Sequence, residues 1–442
     1  MRIKLSDHFT LKRLLKFVFP SIIMMIIISI YGVIDGFFVS NYVGKSAFSS
    51  LNLVMPFIMI LGGMGFMIGT GGSALVSKTL GQKENEKANK IFSMMIVFTT
   101  ILGLILSIIG IIFIRPVSYL LGASDEMIDN CVLYGRIVTS FTALFMLQNV
   151  FQSFLATAEK PKIGLIVTIA AGTTNAVLDY LFVAVFNFGL AGAAVATGIG
   201  QVVGGLIPLI YFIFPNDSLL KLVKTKLSIK ELLAACANGS SELMSNVSSS
   251  IVGMVYNLQL MKYIGEDGVA TYGVLMYVQF VFVAIFIGYS IGTAPIVGYN
   301  YGAANYDELK NVRKKSIAIM FTSGITLSII AQLLAGTLAK IFVGYDQNLY
   351  VLTVHAFRIF SFAFILTGFN IFSSSFFTAL NNGAISALIA FLRTLVFQLG
   401  SVIMLPLIIS VDGIWLAICV AEVFATAISL FFMITKQKVY HY

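Results

Sequence analysis

Residues 15–40 read LKFVFPSIIMMIIISIYGVIDGFFVS, and beyond Lys16 at its start the run stays apolar through Gly44 with Asp35 as its one charge. About 20 apolar residues cross a bilayer as an α-helix, so this stretch predicts a membrane-spanning helix. The basic residues ahead of it (Lys12, Arg13, Lys16) give it the outline of a signal peptide, but no small-residue cleavage site closes the run. It therefore predicts a helix that is retained. The rest of the 442-residue chain agrees: 58% of residues are hydrophobic and 11% charged, against about 25% charged in soluble domains. No soluble chain of this size hides so much apolar surface. The solvent for most of it is lipid.

Eleven further apolar runs follow, at 50–77, 91–114, 128–157, 163–184, 192–214, 232–261, 269–298, 316–342, 350–379, 384–409 and 413–435. Twelve crossings put both termini on one side. Lys and Arg decide which side. One set of segments holds Arg2, Lys4, Lys12, Arg13 and Lys16, then Lys78, Lys83, Lys87 and Lys90, then Lys160 and Lys162, then Lys221, Lys224, Lys226 and Lys230. The same set continues with Lys310, Arg313, Lys314 and Lys315 and ends with Lys436 and Lys438. The opposite loops hold Lys45, Arg115, Lys262 and Lys340. Both termini are thus expected in the cytoplasm. The same clustering explains the net charge of +9 without nucleic acid.

The two halves repeat. Asn41-Tyr-Val-Gly44 matches Lys262-Tyr-Ile-Gly265 at an offset of 221, half of 442. Gly71 matches Gly292, Gly81 matches Gly302 and Gly192 matches Gly413 at the same offset, and Arg136 matches Arg358 at 222. Six helices per half give both halves one orientation, a parallel repeat about an axis along the membrane normal. The expected fold is an all-α polytopic membrane protein of about 12 transmembrane helices in two parallel six-helix lobes with pseudo-two-fold symmetry. The expected domains are an N-lobe at 1–214, a cytoplasmic linker at 215–231 and a C-lobe at 232–442.

A carboxylate inside hydrocarbon is costly and marks a cavity, a partner or an ion path. Four of the 19 acidic residues fall within predicted helices: Asp35, Asp179, Glu242 and Glu422. Asp35 follows Pro20, which removes a backbone donor and bends a helix. It is a candidate protonatable or sodium-binding group, or a structural polar contact near the outer surface. Asn175 and Asp179 share one helix face. With the Thr197 hydroxyl they offer hard oxygen ligands to a small cation, or an interhelical clamp. Glu242 lies near the cytoplasmic start of the seventh helix, as a coupling acid or an interfacial residue. Glu422 reads as a structural hydrogen bond. Gln148 and Gln152 share a face of the fourth helix. With Tyr31 they are candidates for a substrate cavity, or they bond between helices. Arg136 and Arg358 read as snorkelling or fixed ion pairs.

Other chemistries lack their signatures. Cys131, Cys236 and Cys419 form no CxxC pair and read as buried thiols. His8, His355 and His441 have no metal-ligand spacing, and there is no GxxxxGK[ST] loop. No enzyme and no cofactor is expected.

Several motifs follow one another along the chain: Pro20 with Val33-Ile-Asp35-Gly-Phe-Phe-Val and Asn41-Tyr-Val-Gly44, Gly69-Thr-Gly-Gly-Ser73, Leu80-Gly-Gln82, Ala158-Glu-Lys-Pro161 and Asn175-Ala-Val-Leu-Asp179. In order and spacing they resemble the multidrug and toxic compound extrusion (MATE) family over nearly the whole chain. The resemblance implies antiport across a bacterial plasma membrane: small organic, often cationic, compounds leave as H⁺ or Na⁺ enters. It implies an ion-coupling site at Asp35, Asn175, Asp179 and Thr197, which is a metal site only if Na⁺ is the ion. It also implies that Pro20 bends the first helix when the site is occupied. Some branches use a C-lobe pair of acids; Glu242 matches the first, but the tenth helix has His355 and Arg358 instead of a carboxylate. The expected partners are the transported compounds and lipid, with the chain a monomer. The competing readings are a flippase for lipid-linked oligosaccharides, a metabolite exporter, a major-facilitator transporter, a channel and a membrane enzyme. A flippase wants a cationic central cavity, yet only Arg136, Arg358 and Arg393 of the 28 basic residues lie mid-helix. The basic loop of the major-facilitator type is absent from Gly81-Gln-Lys-Glu-Asn-Glu-Lys87.

Overall fold

A computed structural model describes residues 3–442. Arg2, counted above among the basic N-terminal residues, lies outside them, as do the side chains of Val33 and Lys45. Among the described residues there is no strand.

The first lobe contains α1 (Leu11–Phe38), which runs into a π-turn at Val39–Val43, then α2 (Lys45–Gly81) and α3 (Asn85–Leu120). It continues with α4 (Ile128–Ser140), α5 (Thr142–Thr157), α6 (Pro161–Asp179) with a π-turn at Tyr180–Val185, and α7 (Gly189–Ile213). A non-helical linker leads to the second lobe: α8 (Ile229–Tyr263), α9 (Glu266–Gly302), α10 (Tyr306–Val343), α11 (Gln347–Phe360) and α12 (Phe364–Ala379). Then come α13 (Gly383–Phe391), a π-turn at Leu392–Gln398, α14 (Leu399–Thr435) and the short α15 (Gln437–Tyr440). Local chemistry starts several of these. Thr10, Asn305, Asp346 and Asn382 accept from first-turn amides of α1, α10, α11 and α13. Pro161 opens α6, where its missing N–H costs nothing.

Among the described residues nine helices are long and apolar enough to span a membrane, and α4 with α5, bent by 54°, makes a tenth. The 53-residue run Gly383–Thr435 breaks at Ile409 and Ser410, the latter at φ 54°, so it crosses twice. Helix α8 has the length, 35 residues, but carries the polar stretch 238–250. Counting the broken run as two spans and α8 as one more gives the expected twelve among the described residues. Helix α8 begins at Ile229, so the non-helical linker ends three residues before its sequence boundary at 231.

The repeat reaches the backbone itself. Positive φ occurs at Gly44 and Gly265, at Lys83 and Ala304, and at Gly189 and Ser410, each pair 221 apart. Glu159 and Asn381 form a fourth pair at 222. A non-glycine residue at positive φ is uncommon, so the tight turns of both lobes are built to one plan.

The lobes meet through α1 on α9 and α2 on α8, with α2 and α9 crossing on the axis. A Cβ on Gly81 would strike the Tyr299 carbonyl, and one on Gly302 would strike the Lys78 carbonyl. Since 299 is 78 plus 221, these are one contact seen twice. Gly71 and Gly239 cross with the same closeness, and Gly292 packs on Val18. These crossings lie at the end of the bundle that holds the termini. Further along, Gly32, Gly253 and Gly273 have open space beside them. The tightest glycine crossings between the lobes are therefore gathered at the terminal end.

Candidate functional site

The four residues singled out from sequence converge inside the N-lobe. Asp35 lies one turn before the π-turn that ends α1, and Asp179 is the last residue of α6 before its own π-turn. Such turns widen a helix locally and are frequent at functional sites. Here they shape the backbone next to both carboxylates. Asp35 and Asp179 are 5% and 0% exposed and feel each other's charge. Thr197 on α7 lies beside Asp35, and Asn175, one turn earlier on α6, lies beside Asp179. Tyr134 on α4 completes the cluster. It is fully buried, beside Thr197 and within the field of both carboxylates.

Few of these polar atoms are satisfied. Asp35 Oδ1, both oxygens of Asp179, Asn175 Nδ2, Thr197 Oγ1 and the Tyr134 hydroxyl are buried without a hydrogen bond of good geometry, although Thr197 stands against Asp35 and Asn175 against Asp179. Buried polar atoms normally have partners. No lysine or arginine forms an ion pair with either carboxylate among the described residues. Two carboxylates, an amide, a hydroxyl and a phenol make an oxygen-rich cluster that a proton or small hard cation would complete.

The remaining candidates fall elsewhere. The Tyr31 hydroxyl is 3.5 Å from Gln148 Nε2, and Tyr31 lines an apolar groove of about 780 Å³ between α1 and α6. Gln148 and Gln152 are buried behind it in the N-lobe. Pro20 sits within α1, which stays one continuous helix. Glu242 lies thirteen residues into α8, about 20 Å along the helix, next to Leu243, which packs on Gly63 across the lobes. It stands apart from the N-lobe cluster. Glu422 does more than hydrogen-bond. Arg393 reaches its Oε1 through Nε at 3.0 Å and Nη2 at 2.7 Å, and Asn370 Nδ2 donates to its Oε2 at 2.6 Å. His355 pairs with Asp412 at 2.8 Å. Tyr134 was not legible in the sequence, because nothing in Val-Leu-Tyr134-Gly-Arg sets it apart from the other 17 of the chain's 18 tyrosines.

Two helical lobes related by an internal repeat, with a carboxylate pair buried in one of them, define a multi-pass membrane protein of the transporter class. The MatE family model matches residues 20–181 and 243–403, one stretch in each lobe, and the chain belongs to this family, the multidrug and toxic compound extrusion family. It is 25% identical over 435 residues to the multidrug export protein MepA of Staphylococcus haemolyticus, covering 97% of this chain and 94% of that protein. The MepA of Staphylococcus aureus strain MSSA476 is 25% identical over 86% of this chain and 84% of its own. Among solved structures, a MATE protein in complex with MaL6 superposes with TM-score 0.93 at 22% identity, covering 98% of both chains. An outward-facing multidrug resistance MATE family transporter of the MOP superfamily superposes with TM-score 0.92 at 21% identity, over 98% of this chain and 97% of that one.

Proposed function

We propose that the chain exports small organic, often cationic, compounds across a bacterial plasma membrane by antiport with H⁺ or Na⁺, with both termini cytoplasmic. The observation that carries this reading is the pair of buried carboxylates with unsatisfied oxygens. An unpaired charge cannot persist in a dry site, so an exchangeable cation or proton must neutralise it. The relatives named as multidrug export proteins support the substrate class.

Helix α1 supplies the coupling. It carries Asp35 near one end and, about 25 Å away, Val18, which packs on Gly292 of the opposite lobe. Loading the cluster alters how α1 packs on α6 and α7. Pro20 lies beside the inter-lobe contacts of Val18 and Ile22, where a missing hydrogen bond makes bending cheap. Ion and substrate thus bias one two-state motion, and their coupling is reciprocal. A flippase for pyrophosphate-linked sugars is disfavoured. Arg136 and Arg358 are exposed, and Arg393 is committed to Glu422.

The test is ethidium efflux from proteoliposomes under an imposed H⁺ or Na⁺ gradient, comparing wild type with Asp35→Asn and Asp179→Asn. Efflux driven by one gradient and lost in both variants identifies the ion. Efflux indifferent to both gradients refutes antiport.

A further inference from the structure

The linker between the lobes is not slack. Its backbone is clipped along the first turns of α3. Lys221 N–H donates to Asn89 Oδ1 at 2.9 Å, Val223 N–H to Ser93 Oγ at 2.8 Å, and Ser228 N–H to Met94 Sδ at 3.1 Å. The Thr225 hydroxyl donates to the Lys90 carbonyl at 3.0 Å. Between linker and helix lies a cavity of about 540 Å³, lined by Lys87, Lys90, Lys224 and Lys226 over a floor of Ile91 and Met94. The acidic groups there are Glu231, in the lining, and Glu84 at the rim, 2.9 Å from Lys87. Four cations thus face one carboxylate inside the cavity.

The apolar surroundings identify the occupant. Leu227, Ile229 and Leu233, at the end of the linker and the start of α8, are 65%, 64% and 63% exposed. On the face of α3 that carries Lys90 and Met94, Val97, Ile101, Leu104 and Ile108 form an exposed stripe running away from the lysines. A soluble anion needs the cations only. Cations at the head of an exposed apolar stripe fit an amphiphile, and basic pockets on the cytoplasmic side of membrane proteins bind anionic headgroups.

We propose that this cavity holds the phosphate-bearing headgroup of an anionic membrane phospholipid, with its acyl chains along the α3 stripe. The bound lipid bridges the N-lobe to the segment that leads into the C-lobe. The proposal rests on the cytoplasmic placement of these loops and not on the coupling ion or substrate.

The test is native mass spectrometry of the detergent-solubilised full chain, titrated with dioleoylphosphatidylglycerol, dioleoylphosphatidylcholine or inorganic phosphate. Phosphatidylglycerol should bind at least tenfold more tightly than phosphatidylcholine. Each lysine near the surface contributes roughly fivefold in affinity. Lys224→Gln with Lys226→Gln should therefore weaken binding at least tenfold, while Lys310→Gln with Lys314→Gln on the other lobe changes it less than twofold. Glu231→Gln should tighten binding. Equal affinity for the two lipids overturns the proposal, as does equal loss in the control pair. Inorganic phosphate that competes as strongly as phosphatidylglycerol reassigns the cavity to a free anion and overturns the lipid reading.

Discussion

The two lobes share a backbone plan and treat buried charge in opposite ways. At the offset of 221, Asp35 corresponds to Tyr256, Asp179 to Gly400 and Thr197 to Ile418. The C-lobe therefore has no carboxylate where the N-lobe has two. In exchange, Gly172 corresponds to Arg393 and Gln201 to Glu422, and the C-lobe closes its own charge with a guanidinium–carboxylate pair and the Asn370 amide. The N-lobe carboxylates have only the neutral Thr197 and Asn175 beside them and, among the described residues, no cation. A repeat can thus pair its buried charge within one half and leave it without a counter-charge in the other.

The sharpest way to break this contrast is to remove each charge. Asp179→Asn should abolish gradient-driven ethidium efflux, down to the level of protein-free liposomes, without lowering the thermal midpoint in detergent. Retained coupling would mean that the N-lobe cluster is structural. Arg393→Met should leave Glu422 buried and unpaired, costing about 3–5 kcal/mol, read as a lower thermal midpoint. Arg393→Met with Glu422→Leu should restore most of it and keep the ion dependence of efflux. If the double variant loses ion dependence while folded, the C-lobe pair also couples, and the division of labour fails.

The lobe interface gives a smaller effect. Gly302→Ala places a methyl against the Lys78 carbonyl, and overpacking of this kind costs about 1–3 kcal/mol. The cost falls on the arrangement in which the lobes touch at the terminal end, so spin-label distances across that end should broaden toward separation. Gly253→Ala, with open space beside it, should change nothing. A shift in both variants would point to helix propensity rather than to the crossing.

Much of this was legible because two constraints act locally. Lipid demands long apolar runs, and a buried carboxylate is rare enough to stand out, so Asp35 and Asp179 declare themselves. What stayed hidden depends on rotation about helix axes and on pairs distant in sequence. Helix α8 carries Asn238, Ser240, Ser241 and Glu242 within its length because its neighbour in the other lobe is α2, whose Gly63 and Gly71 pack on it in place of lipid. Glu422 and Arg393 are 29 residues apart, on either side of the break at Ser410, and neither announces the other. The π-turn at Leu392–Gln398 re-aims side chains at a place where no proline or glycine marks a change.

The smallest expected effect concerns a segment that belongs to both lobes. Residues 5–9 pass beneath the bundle with Leu5 and Phe9 fully buried. The Leu5 amide donates to Glu159 of the N-lobe at 2.7 Å, and the Phe9 amide donates to Glu308 of the C-lobe at 2.9 Å. Asn311 holds the far end twice, donating to the Phe9 carbonyl at 3.1 Å and to Glu308 Oε1 at 2.8 Å. Asn311→Ala removes both bonds but leaves Lys315, which donates to the same carbonyl at 2.7 Å, so the net loss should be about 1 kcal/mol. Hydrogen exchange should then quicken roughly fivefold at the Phe9 amide. The Leu5 amide, held by the other lobe, should respond less. Equal acceleration at both would mean that the segment opens as one unit with the lobes, and that the C-lobe anchor is what holds the lobes together at the terminal end.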